Sequence, residues 1–231
     1  MMKIFGQPDN YSEILQRIWY TSIATGLGCT ILLSTASPTL QNFINSITTT
    51  AEIGPIKNIK VLYVIIPLLI GILSRMLKLH DKISDVFRIR YLFDTRCLLY
   101  PLAKGAGITL TKDLHKNIGN KRVDSMYAVF YPYAGFKNPV IDEQLVRTAA
   151  DNWGWFWVLL ESSALVVVTT IALCIMKKWD YVFWCLIVLL VEFALMFMYW
   201  IACQNSGRRQ VAAILADKGR RKIIAKYFQS L

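Results

Sequence analysis

Two apolar runs with almost nothing between them set the terms for this chain. Residues 153–176, WGWFWVLLESSALVVVTTIALCIM, and residues 181–203, YVFWCLIVLLVEFALMFMYWIAC, are separated only by Lys177, Lys178, Trp179 and Asp180. Each run exceeds the ~20 residues that a helix needs to cross a bilayer core. Without water to satisfy backbone N–H and C=O groups, such a run has to be helical. The short link then forces an antiparallel hairpin. The rest agrees: of 231 residues 55% are hydrophobic and 18% charged, and the mean hydropathy is +0.41. That is too apolar, and too clustered, for an ordinary water-soluble domain of this length.

Two further runs fit the same pattern. Residues 19–37, WYTSIATGLGCTILLSTAS, carry small residues four apart, Ser22 with Gly26 and Ala24 with Gly28, which lets helices approach closely in lipid. Residues 60–77, KVLYVIIPLLIGILSRML, hold a shorter apolar centre, expected to kink at Pro67 and loosen at Gly71. This run crosses only if Lys60 and Arg75 snorkel to opposite interfaces. Asp9, Glu13 and Arg17 precede the first run, which argues for a retained anchor rather than a cleaved signal. The fold expected is an all-α membrane protein with four transmembrane helices and a small helical cytoplasmic domain between spans two and three. Its parts are an N-terminus (1–18), a first helix pair with an external loop (19–77), a cap (78–152), the hairpin (153–203) and a basic amphipathic tail (204–231).

Charge sets the direction. Lys and Arg number thirteen in residues 75–152, seven in 203–231 and two, Lys3 and Arg17, before the first run, 22 in all against four at Lys57, Lys60, Lys177 and Lys178. The positive-inside rule places the 22, both termini and the cap in the cytoplasm. Trp153, Trp155 and Trp157, with Tyr199 and Trp200, are expected to form one aromatic belt, and Trp179, Tyr181 and Trp184 the other. The net charge of +11 is then explained by topology and anionic lipid more readily than by nucleic acid.

The cap reads as helical. Apolar residues at helix spacing from Ile83 to Leu98 predict that the second span runs on to about Tyr100, where Pro101, Gly105 and Gly107 stop it. Thr111 or Asp113 is a candidate helix cap, YPYAGFKNP a turn-rich link, and Asp142 the start of a helix entering the third span. In the tail, Val211, Ile214 and Leu215 share one face, continued after Gly219 by Ile223, Ile224, Tyr227 and Phe228. Arg208, Arg209, Arg220, Arg221 and Lys222 supply a basic face for the inner leaflet, the cap or an acidic partner.

No phosphate-cradling loop, dinucleotide fingerprint, zinc-protease motif or nucleophile elbow is present, so no catalytic residue is assigned and no enzyme expected. The five cysteines form no CxxC pair, and His80 and His115 have no ligand spacing, so neither a metal site nor a cofactor is expected. The residues that demand explanation are Glu161 and Glu192. A carboxylate in hydrocarbon costs roughly 2.5–3.5 kcal/mol on insertion scales, so it normally faces a cavity, a partner or other helices. With Trp155 as the cytoplasmic edge, helix rise places Glu161 ~9 Å and Glu192 ~16 Å deep, at different levels. Ser162 and Ser163 add polarity beside Glu161. Two readings stand: hydrogen-bonded glue between helices, or an element of permeation or gating.

The layout of four spans, a small cytoplasmic helical module and no enzyme signature resembles multi-span membrane components of bacterial antiviral defence systems, including four-span effectors associated with nucleotide signalling and the membrane subunit of Kiwa-type systems. The resemblance implies an oligomeric inner-membrane sensor or effector that permeabilises the membrane or recruits a cytosolic protein. The expected partners are the lipid bilayer, further copies of the chain and that protein. A nucleotide second messenger or nucleic acid has no support from the residues. The alternatives are a small channel or transporter, and a non-enzymatic scaffold.

Overall fold

The computed structural model describes residues 6–8, 10–47, 50–53, 56–137 and 139–231; Lys3, counted among the inside charges, lies outside them. Helix α1 (Tyr11–Ala36) starts eight residues before the apolar run. Asn10 caps it, its side-chain oxygen accepting from the Glu13 N–H at 3.0 Å. Helix α2 (Pro38–Ser46) follows, capped by Ser37. Strands β1 (Thr50–Ile53) and β2 (Ile56–Lys60) form an antiparallel pair with Thr50 opposite Lys60 and Ala51 opposite Ile59. The stretch between the first two runs, expected as a polar loop in an all-α chain, is therefore partly ordered. Elsewhere the regular structure among the described residues is helical.

The second run differs from expectation. Helix α3 (Leu62–Leu77) stops at Lys78, which adopts a left-handed φ of 47° and returns its N–H to the Arg75 and Ser74 carbonyls. Helix α4 (Leu79–Val86) continues at 56° to it. A second left-handed residue, Arg88 (φ 53°), precedes helix α5 (Ile89–Phe93). The bend thus sits eleven residues beyond Pro67, and the long continuous helix to Tyr100 is replaced by pieces. A π-helical stretch, Asp94–Leu99, joins α5 to helix α6 (Tyr100–Gly105). Pro101 does not stop the helix: it stands in the first turn of α6, directly after the π-helical stretch, and the helix runs on to Gly105. The stop comes at Gly105–Gly107, where Gly107 takes φ 88°.

Helix α7 (Lys112–Asn120) is capped by Thr111, whose hydroxyl accepts from Leu114 N–H. Helices α8 (Arg122–Val129) and α9 (Tyr131–Ala134) lead into the link. Helix α10 (Glu143–Ile175) starts where Asp142 predicts, and the Asp142 carboxylate accepts from Gln144 N–H at 2.8 Å. Helix α11 (Trp179–Leu215) runs twelve residues past Cys203, so Arg208 and Arg209 belong to it rather than to the tail. Helix α12 (Lys218–Gln229) starts at the Asp217 cap. Gly219 lies inside it, not at a break.

The chain divides into two compact units: residues up to Ile14 with Asp81–Trp153 and Tyr199–Leu231, and Leu15–His80 with Gly154–Met198. In the first, α12 is part of the packing. Ile224 and Phe228 are buried, the Tyr227 hydroxyl meets Ser125 Oγ at 3.1 Å, and the Leu231 carbonyl accepts from Asn117 Nδ2. Ile223, expected on the same face, is exposed. Phe93 meets Trp153 and Trp200 edge-on, at 4.6 and 5.9 Å between ring centres.

In the second unit the α10–α11 hairpin closes around Val166, Leu173, Val182, Cys185 and Leu189 with Ala36 of α1. The Ser22–Gly26 face of α1 extends through Thr30 and Ser34, and all four are buried. A Cβ on Gly71 would lie 2.5 Å from Ile23 Cγ1, so this glycine permits the close approach of α3 to α1 rather than loosening α3. Trp157 is not a belt residue: it and Phe156 are buried. Among the described residues three helices, α1, α10 and α11, are long and apolar enough to cross a membrane, or four if α3 and α4 make one span. Between Phe183 and Ile201 the exposed side chains of α11 are apolar, with Phe183, Leu190 and Phe197 60–70% exposed, as suits a helix segment solvated by lipid.

Candidate functional site

The second unit is organised around Glu161. Its side chain is 1% exposed. Oε2 accepts from Ser22 Oγ on α1 at 2.8 Å and from Ser74 Oγ on α3 at 2.6 Å. Oε1 accepts from the backbone N–H of His80 at 3.1 Å and lies 3.0 Å from His80 Nδ1. With the ring proton on Nδ1, both oxygens are used twice. The local reasons are separate. Ser22 belongs to the small face of α1, Ser74 lies one turn before the end of α3, and His80 is the second residue of α4. A helix's first turn leaves its N–H groups without internal partners. Glu161 supplies one such partner, and its charge suits the positive end of α4. The left-handed Lys78 turns the chain so that Ser74 and His80 face the same carboxylate. The ring of Trp157, 6.0 Å from that of His80, covers one side.

Glu192 forms a second cluster. Ser162 Oγ donates to its Oε1 at 2.5 Å and Ser163 Oγ to its Oε2 at 3.0 Å. Ser162 spends its only hydroxyl proton there, so Thr25 is the donor in the 3.0 Å contact between Thr25 and Ser162. The depths expected from helix rise separated the two glutamates. The structure instead attaches Glu192 to the turn that begins with Glu161, a height difference of ~3 Å between Glu161 and Ser163. One polar layer therefore joins α1, α3, α4, α10 and α11. Each of its hydrogen bonds to a carboxylate is worth roughly 1.5–3 kcal/mol, and leaving any donor unpaired costs a similar amount.

The basic residues are distributed differently. Arg208, Arg209 and Lys222 are exposed. Arg220 is half-buried, 3.7 Å from Asp217 and 6.0 Å from the centre of the Tyr133 ring. Arg221 Nε donates to the Leu215 carbonyl. Two of the five tail cations are thus engaged within their own unit. Sequence reasoning found Glu161, Glu192, Ser162 and Ser163 but missed His80 and Ser74 and gave Ser22 only a packing role. In the first unit, burial pushes the Asp94 carboxyl up to about 6 despite the nearby Arg122, whose Nη1 is 2.5 Å from its Oδ2.

The sequence profile of the YmfE protein family matches residues 10–230, which include both polar clusters and the basic helices. The chain belongs to the YmfE family. A relative within reach of direct alignment is the uncharacterized protein YmfE of Escherichia coli (strain K12). It is 25% identical over 193 residues, which cover 78% of this chain and 76% of that protein. No solved structure matches. The match to the YmfE family runs across both units, so the polar layer and the basic helices fall within one family-wide stretch.

Proposed function

We propose that the chain is a multi-pass inner-membrane protein that works as a sensor or scaffold: four spans, with α3 and α4 making one, hold a basic helical unit on the cytoplasmic side for a protein partner. The observation that carries this is the closure of Glu161 on Ser22, Ser74 and His80 of its own chain. A carboxylate whose oxygens are both satisfied internally serves as glue between helices and is poorly placed to line an ion path between subunits. The permeation reading loses its main residue on this account. The recruiting form of the antiviral sensor or effector does not depend on it and remains the reading that we attach to the fold.

Charge asymmetry supports the orientation, and the exposed Arg208, Arg209 and Lys222 offer an acidic protein a contact surface. Reporter fusions at Leu231 and near Thr49, the latter outside the described residues, should report opposite compartments. A C-terminus on the outer side would overturn the reading. Reconstituted protein should also fail to raise cation flux across liposomes, and a flux abolished by Glu161→Gln would restore the permeation alternative.

A further inference from the structure

The first unit contains a cavity of about 380 Å³ lined by Asp85, Arg88, Tyr91 and Arg122. Three features set it apart from an ordinary charged surface. The Arg88 backbone is left-handed (φ 53°), a conformation that disfavours any side chain with a Cβ and that helix ends usually give to glycine. Lys78 and Lys177 share it, but both follow the last turn of an apolar helix, α3 or α10, where a left-handed residue closes the helix end. Arg88 lies two residues beyond the polar helix α4, and it lines the cavity. Second, Tyr91 packs closely on α7: a Cβ on Gly119 would lie 2.6 Å from its hydroxyl oxygen. Third, Arg122 is anchored through Nη1 to Asp94 at 2.5 Å, which fixes the plane of the guanidinium while leaving its other N–H groups to donate.

We propose that this cavity binds the phosphate ester of a polyol. Two guanidiniums present forked donors that match phosphate oxygens. The Tyr91 hydroxyl adds a donor. The Asp85 carboxylate repels a bare anion but accepts from a hydroxyl, which selects a phosphate that carries hydroxyl groups beside it. Two sources supply this chemistry: a phosphatidylglycerol headgroup and a soluble glycerol phosphate. The residues directly before Arg88 favour the lipid. Val86 and Phe87, directly before Arg88, are 77% and 67% exposed, and the pair suits an interface with acyl chains. Arg88 also follows Leu77, the last residue of α3, by only eleven positions.

The test uses the full chain in neutral phosphatidylcholine nanodiscs. Binding is read by native mass spectrometry with added phosphatidylglycerol and, separately, by calorimetry with glycerol 1-phosphate. Four proteins are compared: parent, Arg88→Gln, Arg88→Gly and Lys226→Gln. Arg88→Gly keeps the left-handed backbone without strain, so its loss of binding reports the guanidinium alone. Lys226→Gln removes the same charge from an exposed site away from the cavity. The proposal expects the two Arg88 variants to bind about tenfold more weakly while Lys226→Gln binds like the parent. Binding of the lipid alone, or of the soluble ester as well, upholds the site and names its source. Equal weakening by Arg88→Gln and Lys226→Gln would mean general charge attraction and overturn it. So would the absence of binding in both arms.

Discussion

The two units of this chain are patterned in opposite senses. In the unit of Leu15–His80 and Gly154–Met198, polar groups are buried, Ser22, Thr30, Ser34, Ser74, His80, Glu161 and Ser163 among them, while Trp184, Leu190 and Phe197 face outward. In the other unit, large apolar side chains such as Leu99, Leu102, Ile118, Ile214, Ile224 and Phe228 dominate the interior, with Ser84, Thr95, Ser125 and Gln210 among them, and Lys and Arg residues share the surface with a few apolar ones such as Val86 and Phe87. A polar interior under an apolar surface suits lipid, and an apolar interior under a charged surface suits water. In lipid, apolar contact gives little preference for helix over tail, so a few hydrogen bonds select the helix partners. In water, burial of apolar side chains suffices and the surface is free to carry charge.

The sharpest way to break this comparison is to remove the carboxylate that organises the unit of Leu15–His80 and Gly154–Met198. Glu161→Leu leaves Ser22, Ser74 and His80 without their acceptor, and a loss of about 3–5 kcal/mol is expected. In detergent the variant should express poorly or melt far below the parent; normal yield and melting would show that the polar layer is dispensable. Glu161→Gln keeps the shape and one acceptor oxygen, so a loss of roughly 1–3 kcal/mol should follow. Glu192→Gln, served by two hydroxyls able to turn toward the amide, should cost about 1 kcal/mol. A larger effect at Glu192 than at Glu161 would reverse the ranking of the two clusters.

The other unit responds to pH through Asp94. Its carboxyl is pushed from 3.8 to about 6 by burial, the attraction of Arg122 offsetting only part of this. Between pH of about 4 and 6 the folded unit therefore holds a proton that the unfolded chain has released. Stability from this group is greatest below that window and falls as pH rises through it. Melting temperatures of parent and Asp94→Asn, compared across pH 4.5–6.5 (a range of about two units around those values), should diverge, the parent losing more. Parallel curves would remove Asp94 from the account.

The smallest effect on the fold is expected from reversing Arg208, Arg209 and Lys222, which are exposed. Stability should change by less than ~0.5 kcal/mol per site, while salt-sensitive capture of a partner is lost. Unchanged capture would take these three residues out of the contact surface.

Some of this was legible in the sequence. The α10–α11 hairpin, the Asp142 start and the Thr111 cap follow from local signals: length, a capping oxygen, a turn. The bend at Lys78 did not, because a left-handed lysine leaves no mark in hydrophobic periodicity, whereas the conspicuous Pro67 stands inside the single helix α3. Glu161 was recognised because a carboxylate stands out in an apolar run. Its partners were not, because Ser22 and His80 lie 139 and 81 residues away, and nothing in one sequence pairs them. Trp157 looked like an interfacial residue because it follows Trp153 and Trp155. Helix geometry turns it by two residues' rotation onto the buried side beside His80.

The central claim is that Glu161 is sealed inside its own chain. Reaction of the full chain in bilayers with a membrane-permeant carbodiimide, which modifies accessible protonated carboxyls, tests it directly, with site occupancy read by peptide mass spectrometry. Glu161 should stay unmodified in the native protein and react readily once the protein is denatured in dodecyl sulfate. Modification of native Glu161 at the denatured rate would place the carboxylate in an open path and contradict the account.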